Sequence, residues 1–378
     1  MKKIGFSIFA SLLFTSGLFA QRFIEVKNPS GFDCKGELVE VDPCCKNTLN
    51  LTKPFILTDI NGKEVGYQLV YNNKKEISGF LFQANVKAGS SSTYQIKPGK
   101  PAPVKAKTFG RFVPERKDDF AWENDFAAYR MYGPALAKEN PSNGVDFWAK
   151  KTDELIVNEF YEGELKKGLS YHRDRGHGLD FYKVAHTLGC GGVALYFKDS
   201  LWVGNHFDSY KVLENGPLRT IFELTYDSVK VGDIFYKETI TITSTAGSLL
   251  NKGVVKFSGD VKQQMQIATG IYLHGEQSRS SGGCTYQGTL TYFENSISEF
   301  KEPVGQNYVS IYVPTPVHET INKNSHALMI SDYKLNTEFT YYFGAGWNEW
   351  KYPTDIDWHS AFFAFWTGKE HPMTITIK

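Results

Sequence analysis

The chain has 378 residues, and its 42 Lys and Arg nearly balance its 41 Asp and Glu, leaving a formal net charge of +1. That balance gives no electrostatic ground for binding nucleic acid or an anionic membrane surface. The 28 Phe, 21 Tyr, 7 Trp and 34 Gly instead suit pleated, half-buried strands joined by tight turns.

Residues 1–20 read as a cleavable export signal. Lys2 and Lys3 start it, residues 4–19 form an apolar run broken by Ser7, Ser11 and residues 15–17, and Ala20 offers a small-residue cleavage point before Gln21. The run is shorter and more interrupted than the roughly 20 apolar residues a spanning helix wants. No cysteine follows the cleavage point, so no membrane anchor is expected. The expectation is an exported, periplasmic protein.

From Phe23 onward, apolar and polar residues alternate with period two between turn signals. "FIEVKNPSG", "ELVEVD", "FILTDINGKEVGYQLVYNN" and "SGFLFQANV" predict short strands, and 21–100 reads as an N-terminal β-sandwich module. Cys34, Cys44 and Cys45 cluster in it, and a bridge from Cys34 to Cys44 or Cys45 would staple a short loop in an oxidising compartment. No C-x-x-C pair with matching histidines suggests zinc. The Pro- and Lys-rich "KPGKPAPVKAK" (97–107) marks a linker. The remaining body, 101–378, continues strand after strand without βαβ alternation, which predicts a large antiparallel sandwich. The one persuasive helix covers 153–167, and no repeat suggests a solenoid or propeller.

The chain has no G-x-S-x-G elbow, no phosphate-binding loop and no dinucleotide fingerprint. The lone "GCGG" at 189–192 reads as a tight turn. Polar residues concentrate in four other places. In "DDFAWENDFAAYRMYGPAL" (118–136), a strand would put Glu123, Asp125 and Tyr129 on one face and Trp122, Asn124 and Arg130 on the other. Such a set suits either a sugar-gripping cleft or a buried ion pair between strands. "SYHRDRGHGLDFYKV" (170–184) packs Tyr171, His172 and Arg175 among glycines, as a functional loop does. His206 lies beside Asn205 and Asp208, and His274 lies near Glu276, Gln277 and Arg279. "GWNEWKYPTDIDWHS" adds Trp347, Glu349 and further tryptophans, as stacking platforms or as core. His186, His318, His326 and His371 have no polar company and read as structural.

Through "FAWENDFAAYRMYGPAL", "SYHRDRGHGLDFYKV" with "GCGG", and "GWNEW", the chain resembles the DUF4861 family of exported Bacteroidetes proteins. The resemblance implies a β-supersandwich like that of galactose mutarotase over 101–378 and a place in polysaccharide utilisation. It also implies dehydration of a uronic acid at the non-reducing end of an ulvan-type oligosaccharide, leaving a 4,5-unsaturated uronyl residue.

Such an elimination needs a cation on the carboxylate, a base for the C5 proton and an acid for the departing O4. Arg130, Arg175 and Arg279 are candidates for the first task, and His172, Tyr171, His206 and His274 for the proton transfers. Glu123, Asp125, Trp122 and Glu349 complete the expected substrate contacts. The sequence requires no cofactor, and a divalent metal in place of an arginine stays open. A polysaccharide lyase, a mutarotase or epimerase, and a non-catalytic glycan-binding protein remain the alternatives.

Overall fold

The computed structural model describes residues 22–41, 51, 53–138, 144–260, 264–274 and 284–378, without the side chains of 284–286. The export-signal reading of 1–20, Cys44, Cys45 and Arg279 lie outside the described residues. Nearly all of the regular structure is antiparallel strand, arranged as a supersandwich with an N-terminal pair of sheets.

The largest sheet runs, in spatial order, Ser209–Asn215, Arg219–Val231, Ile234–Thr245, Asn251–Ser258, Phe339–Trp347, Pro303–Tyr312, Thr289–Ile297 and Cys284–Tyr286. Its long strands keep strict alternation: in Ile234–Thr245, Tyr236, Glu238, Ile240, Ile242 and Ser244 are buried while Lys237 and Phe235 stay exposed. A five-stranded sheet, Ser200–Trp202, Cys190–Phe197, Met265–Tyr272, His326–Tyr333 and Glu319–Lys323, shares its core through Leu195, Ile267 and Met329. A second one, Gly178–Asp180, Asp146–Lys150, Ala127–Met131, Asp119–Glu123 and Phe109–Val113, adds Trp122, Tyr129 and Phe147 to the same core.

The N-terminal sheets enclose a separate core of Ile24, Val26, Val39, Phe80, Phe82 and Tyr94. The last strand, Thr374–Ile377, pairs with Arg22–Lys27, so the end of the chain returns to this sandwich. Cys34 within it is a free thiol, which burial beside Glu37 pushes up to about 12. "GCGG" does form a turn. Gly189, at φ 63°, runs so close to the neighbouring chain that a Cβ would lie 2.1 Å from the Val145 carbonyl oxygen. A side chain there would have to displace backbone.

Two helices break the pattern. The expected one, α1, spans Val157–Lys167 and ends at Gly168 in the left-handed conformation. The second, α2 (Asp355–Glu370), is unexpected, and it settles Trp358, read as platform or core, as core. In DIDWHSAFFAFWTGKE the aromatics share one half of the helix with Asp355, Lys369 and Glu370, so no clean amphipathic stripe announces it. The helix starts because Thr354 and Asp357 form a reciprocal capping box, and it holds because Trp358 and Phe362 pack inward. Among the described residues no helix is long and apolar enough to cross a membrane.

One inward position violates the pattern. Glu238 faces the core opposite Tyr226 and Phe257, and burial pushes its carboxyl up to about 8. Below about 4.5 both folded and unfolded chains carry the proton. As the pH rises from there to about 8, only the unfolded chain ionises, so stability falls across that window. At neutral pH the loss is on the order of 3 kcal/mol at about 1.4 kcal/mol per pH unit. Glu238→Met is therefore expected to flatten the fall in stability between mildly acidic and neutral pH and to raise the neutral melting temperature. Thermal melts across that range check it, and parallel curves for the two proteins would refute it.

Candidate active site

The site is built on the face of the second five-stranded sheet that lies under α1. Asn124 sets which residues share that face. Its side-chain oxygen accepts from the Phe126 and Ala127 amides at 2.9 and 3.1 Å, closing a turn between Asp119–Glu123 and Ala127–Met131. The turn breaks the single-strand reading of 118–136. Ala121 pairs with Arg130 and Trp122 with Tyr129, so Glu123 and Arg130 point toward α1, whereas Trp122 and Tyr129 point into the core. This corrects the expected faces.

Under α1, Arg130 is clamped by carboxylates. Its Nε lies 2.5 Å from Asp146, its Nη2 donates to Asp180 at 2.8 Å, and Asp119 stands 3.7 Å away. Its Nη1 donates to the Tyr171 hydroxyl at 3.1 Å, and Arg116 donates to the same oxygen. Burial lifts Asp119 to about 6 and raises Asp146 and Asp180 as well, against the pull of the guanidinium. Alongside, Glu123 accepts from the Ile156 and Val157 amides at 2.8 and 2.9 Å and from Lys150 at 3.0 Å. It supplies the cap that α1 lacks in its own sequence.

These placements correct four expectations. Trp122 and Glu123 are fully buried with their polar atoms satisfied, and the Arg130 fork is already occupied. Tyr171 is buried against Trp148 and serves the Arg130 network. None of these residues can grip a ligand directly. Asp125 is also buried: its carboxylate accepts from the Gly247 amide at 2.8 Å. Arg175 is exposed on the 170–177 loop, and Glu349 is exposed near Lys151, adding to the Asp174 contact that raises the lysine's pKa. His206 is buried between Ser200–Trp202 and Ser209–Asn215.

The Arg130 partner Asp180 leads straight into a cavity of about 420 Å³. Phe181, Tyr182, Lys183, His274 and Glu294 line it, with the turn 295–301 opposite. His274 donates from Nε2 to the Lys183 carbonyl oxygen at 2.6 Å, and its Nδ1 lies 2.8 Å from Glu294 Oε2. A carbonyl only accepts, so Nε2 carries a hydrogen and one further proton is shared between Nδ1 and Glu294. The rings of Tyr182 and Tyr272 meet the imidazole edge-on at 4.8 and 4.5 Å and fix its plane.

Tyr182 is nearly fully buried, and among the described residues its hydroxyl has no hydrogen-bond partner. Burial, reinforced by Cys190 and Glu294, pushes that hydroxyl well above its ordinary pKa. An unpaired buried O–H is rare and costs about 1–3 kcal/mol.

His172 stands outside the cavity lining and touches its turn. Its Nδ1 donates to the Asp180 carbonyl oxygen at 2.9 Å, and its Nε2 stands 3.5 Å from Glu299 on the cavity turn. Of the expected histidines only His274 is among the described lining residues; His172 touches the lining residue Glu299, and His206 is not among them. Two larger cavities, of about 580 Å³ beside α2 and about 590 Å³ on the N-terminal sheets, contain no histidine among their lining residues. Among the described residues no three His, Cys, Asp or Glu side chains gather as a metal site. His326 is structural as expected: it accepts from the Leu188 amide at 3.0 Å, and burial lowers its pKa.

Glu294, Glu299 and Lys301 escaped the sequence reading. A carboxylate in a buried register within the aromatic strand Thr289–Ile297 was the available signal for Glu294. Replacing Arg130 with Met strands three carboxylates in the interior. It is expected to lower stability by about 3–5 kcal/mol, read by urea unfolding, with Arg130→Lys recovering only part because a lysine has no fork. An unchanged unfolding midpoint for Arg130→Met would refute the clamp.

A family model described as Domain of unknown function (DUF4861) matches residues 26–375. A Formosa agariphila protein named Uncharacterized protein P7 is 26% identical over 382 residues, covering 94% of this chain and 93% of that protein. An alpha-mannosidase from Enterococcus faecalis V583 superposes over 95% of this chain and 46% of its own, with a TM-score of 0.51 and 8% identity. An Enterococcus faecalis protein in glycosyl hydrolase family 38 does so over 95% and 47%, with a TM-score of 0.50 and 9% identity. This chain thus spans just under half the length of either structure, and the likeness is one of fold.

Proposed function

Taking as premise that the chain belongs to the DUF4861 family, we propose that it is an exported carbohydrate-active hydro-lyase. It dehydrates the non-reducing-end uronic acid of glucuronate- or iduronate-containing, ulvan-type oligosaccharides. The fold is one that family 38 glycosyl hydrolases also use. The observation that carries the reading is the His274–Glu294 pair, held at 2.8 Å on the wall of one cavity.

The residues divide the work of elimination. Glu294, oriented by His274, takes the C5 proton as general base, and the shared proton on Nδ1 moves with the charge. The proton taken from C5 then passes from Glu294 to O4 as that oxygen leaves as water, which returns the pair to its starting state. The C5–H and C4–O bonds break, the C4–C5 double bond forms, and no electrons leave the sugar. Periplasmic action on imported oligosaccharides fits the export signal read at residues 1–20.

Incubation with saturated oligosaccharides ending in glucuronate or iduronate is expected to generate the ultraviolet absorbance of a conjugated enol-ether acid. A mass loss of one water should accompany it. A falling polymer viscosity would reassign the chemistry to a chain-cleaving lyase, and an unchanged substrate would end the proposal. Glu294→Gln should slow turnover by about 10²–10⁴-fold. Tyr182→Phe should leave the melting temperature level or higher, since the hydroxyl it removes is unpaired. A drop in melting temperature for that variant would show the hydroxyl to be structural.

A further inference from the structure

We propose that Arg173 and His172 are positioning residues that clasp the turn 295–301 and so set the width of the cavity beside His274. The assignment rests on that cavity being the substrate site of the reading above. It gives a role to two residues of "SYHRDRGHG" that stand next to the cavity and supply none of its described lining.

The turn needs holding. Residues 295–299 and 301 form more than half of the described lining, yet they stand at the tip of the hairpin between Thr289–Ile297 and Pro303–Tyr312, where the ladder gives out. Its register shifts between Asn295 and Ile297, and Ile297 then faces Pro303, which has no amide hydrogen to give. Within the turn the Lys301 amide donates to the Ser298 carbonyl oxygen at 2.9 Å, and the Ser298 amide donates to the Glu302 carbonyl oxygen at 2.8 Å. Lys301 takes the left-handed backbone, at φ 62°, which a residue with a side chain adopts reluctantly. At the tip, Phe300 is 38% exposed.

The hold comes from the 170–177 loop. Arg173 places its guanidinium 3.9 Å from the centre of the Phe300 ring, and His172 Nε2 stands 3.5 Å from Glu299. The loop end of this clasp is fixed in the interior. His172 Nδ1 donates to the Asp180 carbonyl oxygen at 2.9 Å, and the Asp180 amide donates to the Tyr171 carbonyl oxygen at 2.9 Å. Tyr171 in turn is buried against Trp148 with its hydroxyl in the Arg130 network. The strength of the clasp suits a wall that has to admit a sugar. An exposed cation–π contact and a surface ion pair are each weak, and together they shift an opening equilibrium by about 2- to 30-fold. That holds the turn in place without locking it.

Hydrogen exchange of the whole protein, followed at the amides of 295–302, tests the clasp without reference to activity. Arg173→Ala and Phe300→Ala should each speed exchange there by about 2- to 5-fold. The double variant should exchange no faster than either single one, because all three remove the same contact. Arg173→Lys, which keeps the charge but not the planar face, should recover only part. The amides of Ile234–Thr245 should exchange at the parent's rate. With a uronate-ended oligosaccharide, Arg173→Ala should raise KM by about 2- to 5-fold and keep kcat within about twofold. Parent-like exchange at 295–302 in Arg173→Ala overturns the clasp. So do additive effects of Arg173→Ala and Phe300→Ala, or faster exchange that extends to Ile234–Thr245 and marks general loosening. A lowered kcat with an unchanged KM would place Arg173 in the chemistry and overturn its positioning role. The two proposals fail separately. Coupled exchange effects in a protein that leaves the oligosaccharide intact would sink the enzyme reading and keep the clasp. Dehydration by the parent with parent-like exchange in the variants would do the reverse.

Discussion

One guanidinium sits at the junction on which the rest of this structure depends. Arg130 gathers carboxylates from three other strands of its sheet, Asp119, Asp146 and Asp180, and reaches across to Tyr171 in the loop that covers them. A charge this deep is tolerable only when every donor finds an acceptor, because desolvation otherwise exceeds the Coulomb gain. The carboxylates outnumber the cation, and burial raises all three toward the neutral acid. The network thus ties the sheet, α1 and the 170–177 loop into one unit without relying on apolar contact alone.

From that junction the chain runs two residues to the cavity. Asp180 holds Arg130 with its side chain and His172 with its carbonyl oxygen, and Tyr182 and Lys183 follow at once. His274, which donates to the Lys183 carbonyl oxygen, therefore hangs from the most strongly determined point of the sheet, which is how a loop site acquires fixed geometry. Among the described residues, buried polar atoms without a partner occur here too: Arg116 Nη1 and Asp119 Oδ1 in the network and the Tyr182 hydroxyl beyond it.

The fold itself decides less. Superposition on family 38 glycosyl hydrolases at 8% and 9% identity shows the same scaffold, and one scaffold carries many reactions. What this chain adds to that scaffold is the set of side chains around its cavity, with a histidine held against a glutamate between two aromatic rings.

The sequence by itself determined the all-β architecture, because period-two alternation records which side of each strand is buried, and strands such as Ile234–Thr245 keep it without interruption. It also determined α1 and the stretches 118–136 and 170–184 as places where polar residues gather for a reason. The tertiary structure alone decided what those residues touch. Asn124 closes a turn that moves Glu123 and Arg130 to one face, and Glu123 becomes the cap of a helix that begins 34 residues later. Glu294 meets His274 from a strand 20 residues on. The helix α2 shows no clean stripe because charged residues share its aromatic side. Partnership across strands is set by register and by the packing of one sheet on another. A local sequence pattern records burial but not the identity of the neighbour.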